Sequence, residues 1–413
     1  AEKMAFTKLW VIAYRDLGRN RRRSILTLIA AALGLALLIV MSGYIAGVVD
    51  GALQNNIRLQ TGHVQLRAAT YDESKLSLLW ADLLEDTPTL LAQARAMSEV
   101  RAATPVLWSS GVLSTIYESV SVRVTGIDPA SPVHDPIRQG IAAGQFLTSE
   151  DRGGILIGKR LADSMEIGVG QRVSLAVGTS NERPEEGVFT IRGLFETGVP
   201  SYDDNTVFMS LSQAGALMDA SGHASAIVIM LHKQDDANYV ATALMHPGIQ
   251  ALTWEDMNSL LLEAVQAGMS FYIMMYGVVI LVVAVIIANT LLMSVFERTR
   301  EMGILAALGM KGRQIMLMVV LEAGTLALIG ILVGILLGSA GVWYLSTAGI
   351  PIGDLDLGSS AEGIAIGTTL YAKFVPSDLV SLSIWMLAIV LLASLYPAWF
   401  AARREPINAL HEL

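Results

Sequence analysis

The chain has 413 residues, 53% of them hydrophobic, a net charge of −9 and no cysteine. That apolar share exceeds the roughly 45–50% of a soluble globular domain, and the lack of thiols excludes disulfides, thiolate catalysis and cysteine metal sites. The apolar residues collect in four blocks, 25–49, 269–296, 315–345 and 379–400, each at or above the about 20 residues needed to cross a bilayer core of about 30 Å.

Residues 1–23 mix Leu9, Trp10, Ala13, Tyr14 and Leu17 at helical spacing with Arg15, Arg19, Arg21, Arg22 and Arg23. This predicts an amphipathic basic helix on the cytoplasmic membrane surface, or a simple topology anchor. The first crossing is placed at 24–49. A cleaved signal peptide is disfavoured, because the apolar run is too long and no small-residue cleavage site follows it. Helical character continues past it, with Val49, Leu53 and Ile57 on one face. Ser24–Leu59 would span about 54 Å as one helix, and Trp254–Phe296, likewise free of proline, about 64 Å. Two helices therefore project from the membrane as a stalk, unless Gly51 or Gly268 breaks them.

Between the stalks, 50–267 has globular composition. Period-two alternation at Gly62–Arg67, Ser121–Gly126 and Ala226–Leu231 predicts strands, and Thr87–Met97 and Leu211–Ala220 predict helices. The mixture indicates an α+β domain, with a β-rich subdomain inserted over about 130–225. Within it, Gly153–Arg160 imitates a phosphate loop. It fails the pattern because Arg160 stands where a magnesium-binding Ser or Thr belongs, and Ile155–Ile157 reads as a strand. The six histidines have no metal-ligand spacing, and no nucleophile or paired-carboxylate frame exists. The expectation is no catalytic residue, no metal and no cofactor.

The remaining crossings are expected at 268–296, 313–345 and 379–400, separated by a short inner link at 297–312 and an outer loop at 346–378, with a tail at 401–413. The segments assigned inside carry 13 Lys/Arg against 6 Asp/Glu, and Asp50–Val265 carries 14 against 26. By the positive-inside rule both termini are cytoplasmic and the α+β domain lies outside. Glu322 is the one ionisable residue within an apolar block. Such a charge is costly and is expected to meet a basic side chain, in preference to relaying protons. Gly330, Gly334, Gly338 and Gly341 form a small-residue face for close helix packing, inside the four-helix unit or at a dimer seam.

Three segments carry a family resemblance. Glu297–Gly309, reading Glu-Arg-Thr-Arg-Glu-Met-Gly-Ile-Leu-Ala-Ala-Leu-Gly, is similar to the central motif of the FtsX/MacB-type (type VII) permeases of ABC transporters. Ile155–Leu175 resembles a segment of the MacB-like periplasmic domain, and Tyr396–Leu410 resembles the family's closing motif. Thr61–Gln65, Phe195–Gly198 and Tyr202–Asp204 look most like the LolC/LolE lipoprotein-releasing branch. The resemblance implies four transmembrane helices with a helical stalk and a MacB-like periplasmic α+β domain, multi-pass in the inner membrane. It implies a dimer with a second permease, as homo- or heterodimer, bound to two ABC ATPase subunits that hold the ATP and magnesium. It also implies mechanotransmission to an amphiphilic substrate, above all lipoprotein release, with a possible periplasmic chaperone and no nucleic acid. MacB-like export of peptides or other amphiphiles is the alternative. FtsX-like control of cell-wall hydrolases is another, although FtsX has a much smaller outer domain.

On this resemblance the ATPase-coupling residues are Glu297, Arg298, Arg300, Glu301, Gly303, Leu305, Leu308 and Gly309, with Leu305 and Leu308 as apolar anchors. Met41, Tyr44, Ile45 and Val48, with Met269, Tyr272, Met275 and Tyr276, lie at three- and four-residue spacings near the outer ends of the first two crossings. Methionine-rich faces adapt to varied apolar partners, so these are the expected substrate path, against ordinary helix packing. The segment Gly178–Gly187, where the LolC branch carries a hook loop for its periplasmic acceptor, looks short and acidic here.

Overall fold

A computed structural model describes residues 21–71, 78–352 and 365–403. The basic helix expected over 1–23 lies almost wholly outside these residues, as do 404–413 of the tail and the loop residues Gly353, Asp354, Asp356 and Gly358. Four helices are long and apolar enough to cross a membrane. The chain divides into two compact units, a helical unit from Ala1–Val48, Gln266–Ile350 and Leu370–Leu413, and a globular unit from Val49–Val265 and Pro351–Thr369.

Helix α1, Arg21–Asn56, runs without interruption through Gly51 and closes in a π turn over Ile57–Thr61. Gly62, at φ 65°, ends it, in a conformation that an L side chain adopts only with strain. In the globular unit follow β1 (Val64–Ala68), α2 (Thr87–Ala96), β2 (Val100–Ser114), β3 (Ser119–Ile127), β4 (Ile141–Gly144) and β5 (Gly154–Gly158). Then come α3 (Lys159–Ser164), β6 (Arg172–Gly178), β7 (Pro184–Phe195), β8 (Thr206–Ser210), α4 (Leu211–Leu217), β9 (Ala226–Leu231), α5 (Ala237–Leu244) and β10 (Ile249–Thr253). The ten strands form one sheet in the order β10-β1-β9-β2-β3-β8-β5-β7-β4, with β6 pairing with β2 and β7.

The 15-residue β2 joins the two halves of the sheet. It pairs with β9 as far as Val106↔Ala226 and with β3 from Leu107↔Gly126. The β-rich part therefore starts within β2 and shares it with the rest, where the sequence suggested an insertion over 130–225. Each half has its own core. Val64, Leu66, Leu90, Ile227 and Leu244 pack in one, and Leu107, Val124, Ile157, Leu175 and Met209 in the other. The phosphate-loop look-alike is β5 turning into α3. A Cβ at Gly158 would lie 1.7 Å from the Asp203 carbonyl oxygen, so backbone contact accounts for that glycine.

Two buried titratable groups in this unit oppose each other. Burial pushes the Asp203 carboxyl up to about 6, against hydrogen bonds from Thr197 and Gly198 that hold it down. Burial pushes His134 down to about 4, while Asp128 and Asp135 draw it up and Arg138 adds to the depression. The raised Asp203 contributes stability that is full below its ordinary value of 3.8 and lost as pH rises through about 6. The depressed His134 contributes stability that is full above 6.5 and lost as pH falls through about 4. Each tenfold change in proton affinity corresponds to about 1.4 kcal/mol, so the two contributions nearly cancel between pH 4 and 6. Asp203→Asn is therefore expected to lose about 3 kcal/mol more than wild type on acidification from pH 6.5 to 4. Hydrogen exchange of the β3 and β8 amides, corrected for intrinsic rates, measures this, and parallel wild-type and variant profiles would contradict it.

Helix α6, Ser259–Glu297, begins later than expected. Residues Trp254–Met257 form a separate turn behind a Thr253–Asp256 capping box, and Asn258 interrupts the helix at φ −110°. The Asn258 amide donates to the Trp254 carbonyl and accepts from the Asn56 amide, bonds that favour a break over continuation. Ala52, Leu53 and Ile57 of α1 pack on Leu261 of α6 beside this pair. After α7 (Thr299–Ala307) come α8 (Gly312–Ala348) and α9 (Pro376–Ala402), which continues through Pro397. The glycine face of α8 packs within the helical unit, against α1. A Cβ at Gly330, Gly334, Gly338 or Gly341 would come within 2.7–2.9 Å of Ala31, Ala32, Ile39 or Val40, so the backbones approach closely. In the loop after α8, Ile350–Pro351 and Thr369–Leu370 pair in a small sheet of their own. Ala365 accepts from the Asn55 amide, and the Thr368 amide donates to the Gly198 carbonyl, which straps the loop into the globular unit.

Candidate functional site

Helix α7 lies between two turns that its sequence specifies. Arg298 occupies the N-cap at φ −107°. At the other end Gly309 takes φ 94°, while the Met310 amide donates to the Leu305 carbonyl. The positive φ makes glycine the fitting residue there. Met302 is buried among Val295, Ile315, Met318, Val319, Ala398 and Ala401, with Leu305 and Ala306 half-buried against the same cluster. The Phe296 and Phe400 rings meet edge to face at 5.2 Å beside it.

Polar contacts reinforce this seating. Arg298 Nε donates to Glu301 Oε2 at 3.2 Å, and its Nη1 lies 3.5 Å from Glu322 Oε2 on α8. Glu322 is buried, so the intramembrane acid meets the expected basic side chain, and that side chain belongs to the link itself. The outer face of α7 is apolar and open, with Ile304 48% and Leu308 80% exposed. Glu297, Arg300 and Gly309 are also exposed, and Gly303 is half-buried. Of the two expected anchors, Leu308 points outward and Leu305 faces the helical core. Ile304, one turn before Leu308, completes the exposed face and escaped the sequence reading. Its i, i+4 spacing from Leu308 was the available signal.

On the expected substrate path, Met41, Tyr44, Ile45 and Val48 of α1 are half-buried. On α6, Met269 is 52% exposed, Tyr272 and Met275 are half-buried, and Tyr276 packs onto the helical core. The Tyr276 hydroxyl is hydrogen-bonded with Ser42, and Ser42 Oγ donates to Asp378 Oδ2 of α9. Tyr276 thus has a packing role, and Met269 presents an open face beside Phe271, Ile273 and Met274.

The segment Gly178–Gly187 is mostly β6–β7 ladder, from Gly178↔Pro184 to Leu175↔Gly187. Its turn, Thr179–Arg183, is tied down. The Ser180 amide donates to the Met218 carbonyl, Ser180 Oγ to the Asp219 carbonyl, and the Asn181 amide to the Asp219 carboxylate.

Comparison with known proteins agrees with this architecture. Residues 24–246 match the MacB-like periplasmic core domain, and 273–406 match the FtsX-like permease C-terminal domain. The lipoprotein-releasing system transmembrane protein LolC of Xylella fastidiosa is 25% identical over 62% of this chain and 64% of its own length. The protein of the same name from Neisseria meningitidis is 24% identical over 95% of each chain. The macrolide export ATP-binding/permease protein MacB of Wolinella succinogenes is 23% identical over 97% of this chain and 60% of its own. Two family models in tandem over the globular unit and the last three crossings, with relatives aligned along nearly the whole chain, place this protein in the FtsX/MacB family of ABC transporter permeases, an inner-membrane protein with a periplasmic domain related to LolC.

Proposed function

We propose that this permease couples ATP hydrolysis by separate ATPase subunits to the extraction of an amphiphile, and that release of lipoproteins from the inner membrane is its task. The observation that carries the reading is the seating of α7. Its inner face is locked by Met302 and by the Arg298–Glu322 pair, and its outer face offers Ile304 and Leu308 to a partner. A push on that face would be delivered to α6 and α8 at once. Helices α1 and α6 both run unbroken into the globular unit, which supports transmission of the stroke along them. Both termini would then be cytoplasmic, with a second permease completing the dimer. The relatives named LolC support lipoprotein as the substrate.

Central apolar anchors at an interface contribute about 2 kcal/mol or more each. Leu308→Glu should therefore lower copurification of ATPase subunits from native membranes more than tenfold while leaving α7 folded, since Leu308 contributes nothing to the core. Undiminished copurification and release would rule out this docking face. Leu305→Glu is the poorer test, because Leu305 also packs inward.

One observation favours a second reading. With the turn Thr179–Arg183 tied to Met218 and Asp219, no free hook is available there for a periplasmic chaperone. Export of a peptide or other amphiphile fits such a closed turn, and the MacB relative is named for the export of macrolides.

A further inference from the structure

The globular unit contains a partly open cavity of about 650 Å³, within the roughly 300–1,000 Å³ range of small-molecule sites. Its walls mix apolar and polar side chains. Leu59, Val106, Trp108, Ile127, Val133 and Phe208 line it, and all but Trp108 are buried. Two polar features stand out. Arg123 on β3 lines the cavity, is exposed, and has no ion pair among the described residues. Its charge is nevertheless felt at the buried hydroxyl of Tyr202, another wall residue. His134 also lines the cavity. It is buried, and its Nε2 has no hydrogen-bond partner among the described residues.

An unsatisfied buried nitrogen is costly, and that cost is relieved when a ligand supplies the missing partner. The β2–β3 ladder sets the scale. Arg123 stands opposite Ser110, and His134 belongs to the short turn Pro132–His134, whose neighbour Val133 packs on Val106. Four strand residues, about 13 Å, separate those two levels. A guanidinium thus stands at one level and an unpaired imidazole near the other, with the Trp108–Thr125 pair of the wall between them. Two other cations and one buried acid also line the wall: Arg58, which donates to Asn55 at 3.2 Å, the carboxylate of Asp82, and Arg67, which is held by other wall residues. Arg67 donates to Gln65 and lies 4.7 Å above the Tyr71 ring and 5.7 Å from that of Trp108.

We infer that this cavity is a binding site for a single-chain anionic amphiphile, whose carboxylate or phosphate head pairs with Arg123 and whose ester or hydroxyl group satisfies His134. The site is formed wholly by residues of the globular unit, among them the turn Ile57–Thr61 that closes α1. The inference goes beyond the permease reading and does not need it.

The test uses the full chain in phosphatidylcholine nanodiscs, without ATPase or nucleotide, and a palmitic acid analogue carrying a photoreactive diazirine. After photolysis, the peptides covering 106–112 and 121–127 should carry the label, in addition to the membrane helices. Unlabelled palmitate or a monoacylglycerol phosphate should displace the label from those peptides, and the stronger competitor identifies the head group. Hexadecanol, which lacks the charge, should fail to displace it at tenfold excess. Arg123→Ala, a change at an exposed position, should lower cavity labelling at least fivefold with membrane labelling unchanged. Label confined to the membrane helices, equal labelling in the variant, or equal displacement by hexadecanol would each overturn the inference. None of these outcomes bears on Leu308 or ATPase coupling, so the two readings fail separately.

Discussion

Glu322→Leu is expected to destabilise the helical unit by about 3 kcal/mol, because removing one partner of a buried ion pair leaves the other charge without compensation. Arg298 would retain Glu301 at 3.2 Å, which keeps the loss at the low end of the range for buried pairs. The consequence should extend beyond stability. Arg298 caps α7, so a strained Arg298 would unseat the helix from the Met302 pocket and blunt the stroke it transmits. The double variant Arg298→Met/Glu322→Leu should recover part of the loss, since the only charge it deprives of a partner is Glu301, which is 37% exposed and can be hydrated. Chemical denaturation of the purified chain, followed by release assays in reconstituted membranes, separates the two effects. Additive losses in the double variant would show that the pair is not a unit.

A proline at Glu263 should stop substrate release while ATP hydrolysis continues. Glu263 is exposed on α6, five residues into the helix. A proline there removes a helical hydrogen bond and clashes with the preceding turn, at about 3 kcal/mol or more. The globular cores are formed elsewhere, around Leu66, Leu107 and Phe208, and α7 is untouched. If α6 acts as a stiff rod, the variant hydrolyses ATP at a near-normal rate and releases little or nothing. Normal release, with circular dichroism and hydrogen exchange showing the helix broken at that point, would refute transmission along α6.

The four crossings were legible because uninterrupted apolar runs of their length have few competing readings. The outer strands were legible where alternation was clean, as at Val64–Leu66 and Ala226–Leu231. Strand β2 was not. Ala102, Ala103, Pro105, Ser109, Ser110 and Gly111 disturb both alternation and strand propensity. The segment is held extended by β9, β3 and β6, which is tertiary information. Pro105 is tolerated because β2 changes neighbours beside it. The break at Asn258 was equally hidden, since it depends on bonds to Trp254 and Asn56. At the candidate site, an acid within an apolar block marked Glu322, but nothing local named Arg298 as its partner. Leu305 and Leu308 looked equivalent by spacing. The buried Met302 decides which of them turns inward, and the partners of Met302 come from α6, α8 and α9.

The amide pair at the far ends of the two long helices has a mechanical consequence. Asn56 donates to Asn258 at 2.5 Å in a buried setting, with Leu53 and Ile57 clasping Leu261 alongside. Two shafts fastened at their tips resist gliding lengthwise past one another. A displacement of one turn, about 5.4 Å, would tear the pair apart and uncover the apolar clasp. Turning about this joint, as the arms of tweezers turn about their joined end, leaves the pair intact, whereas lengthwise gliding breaks it.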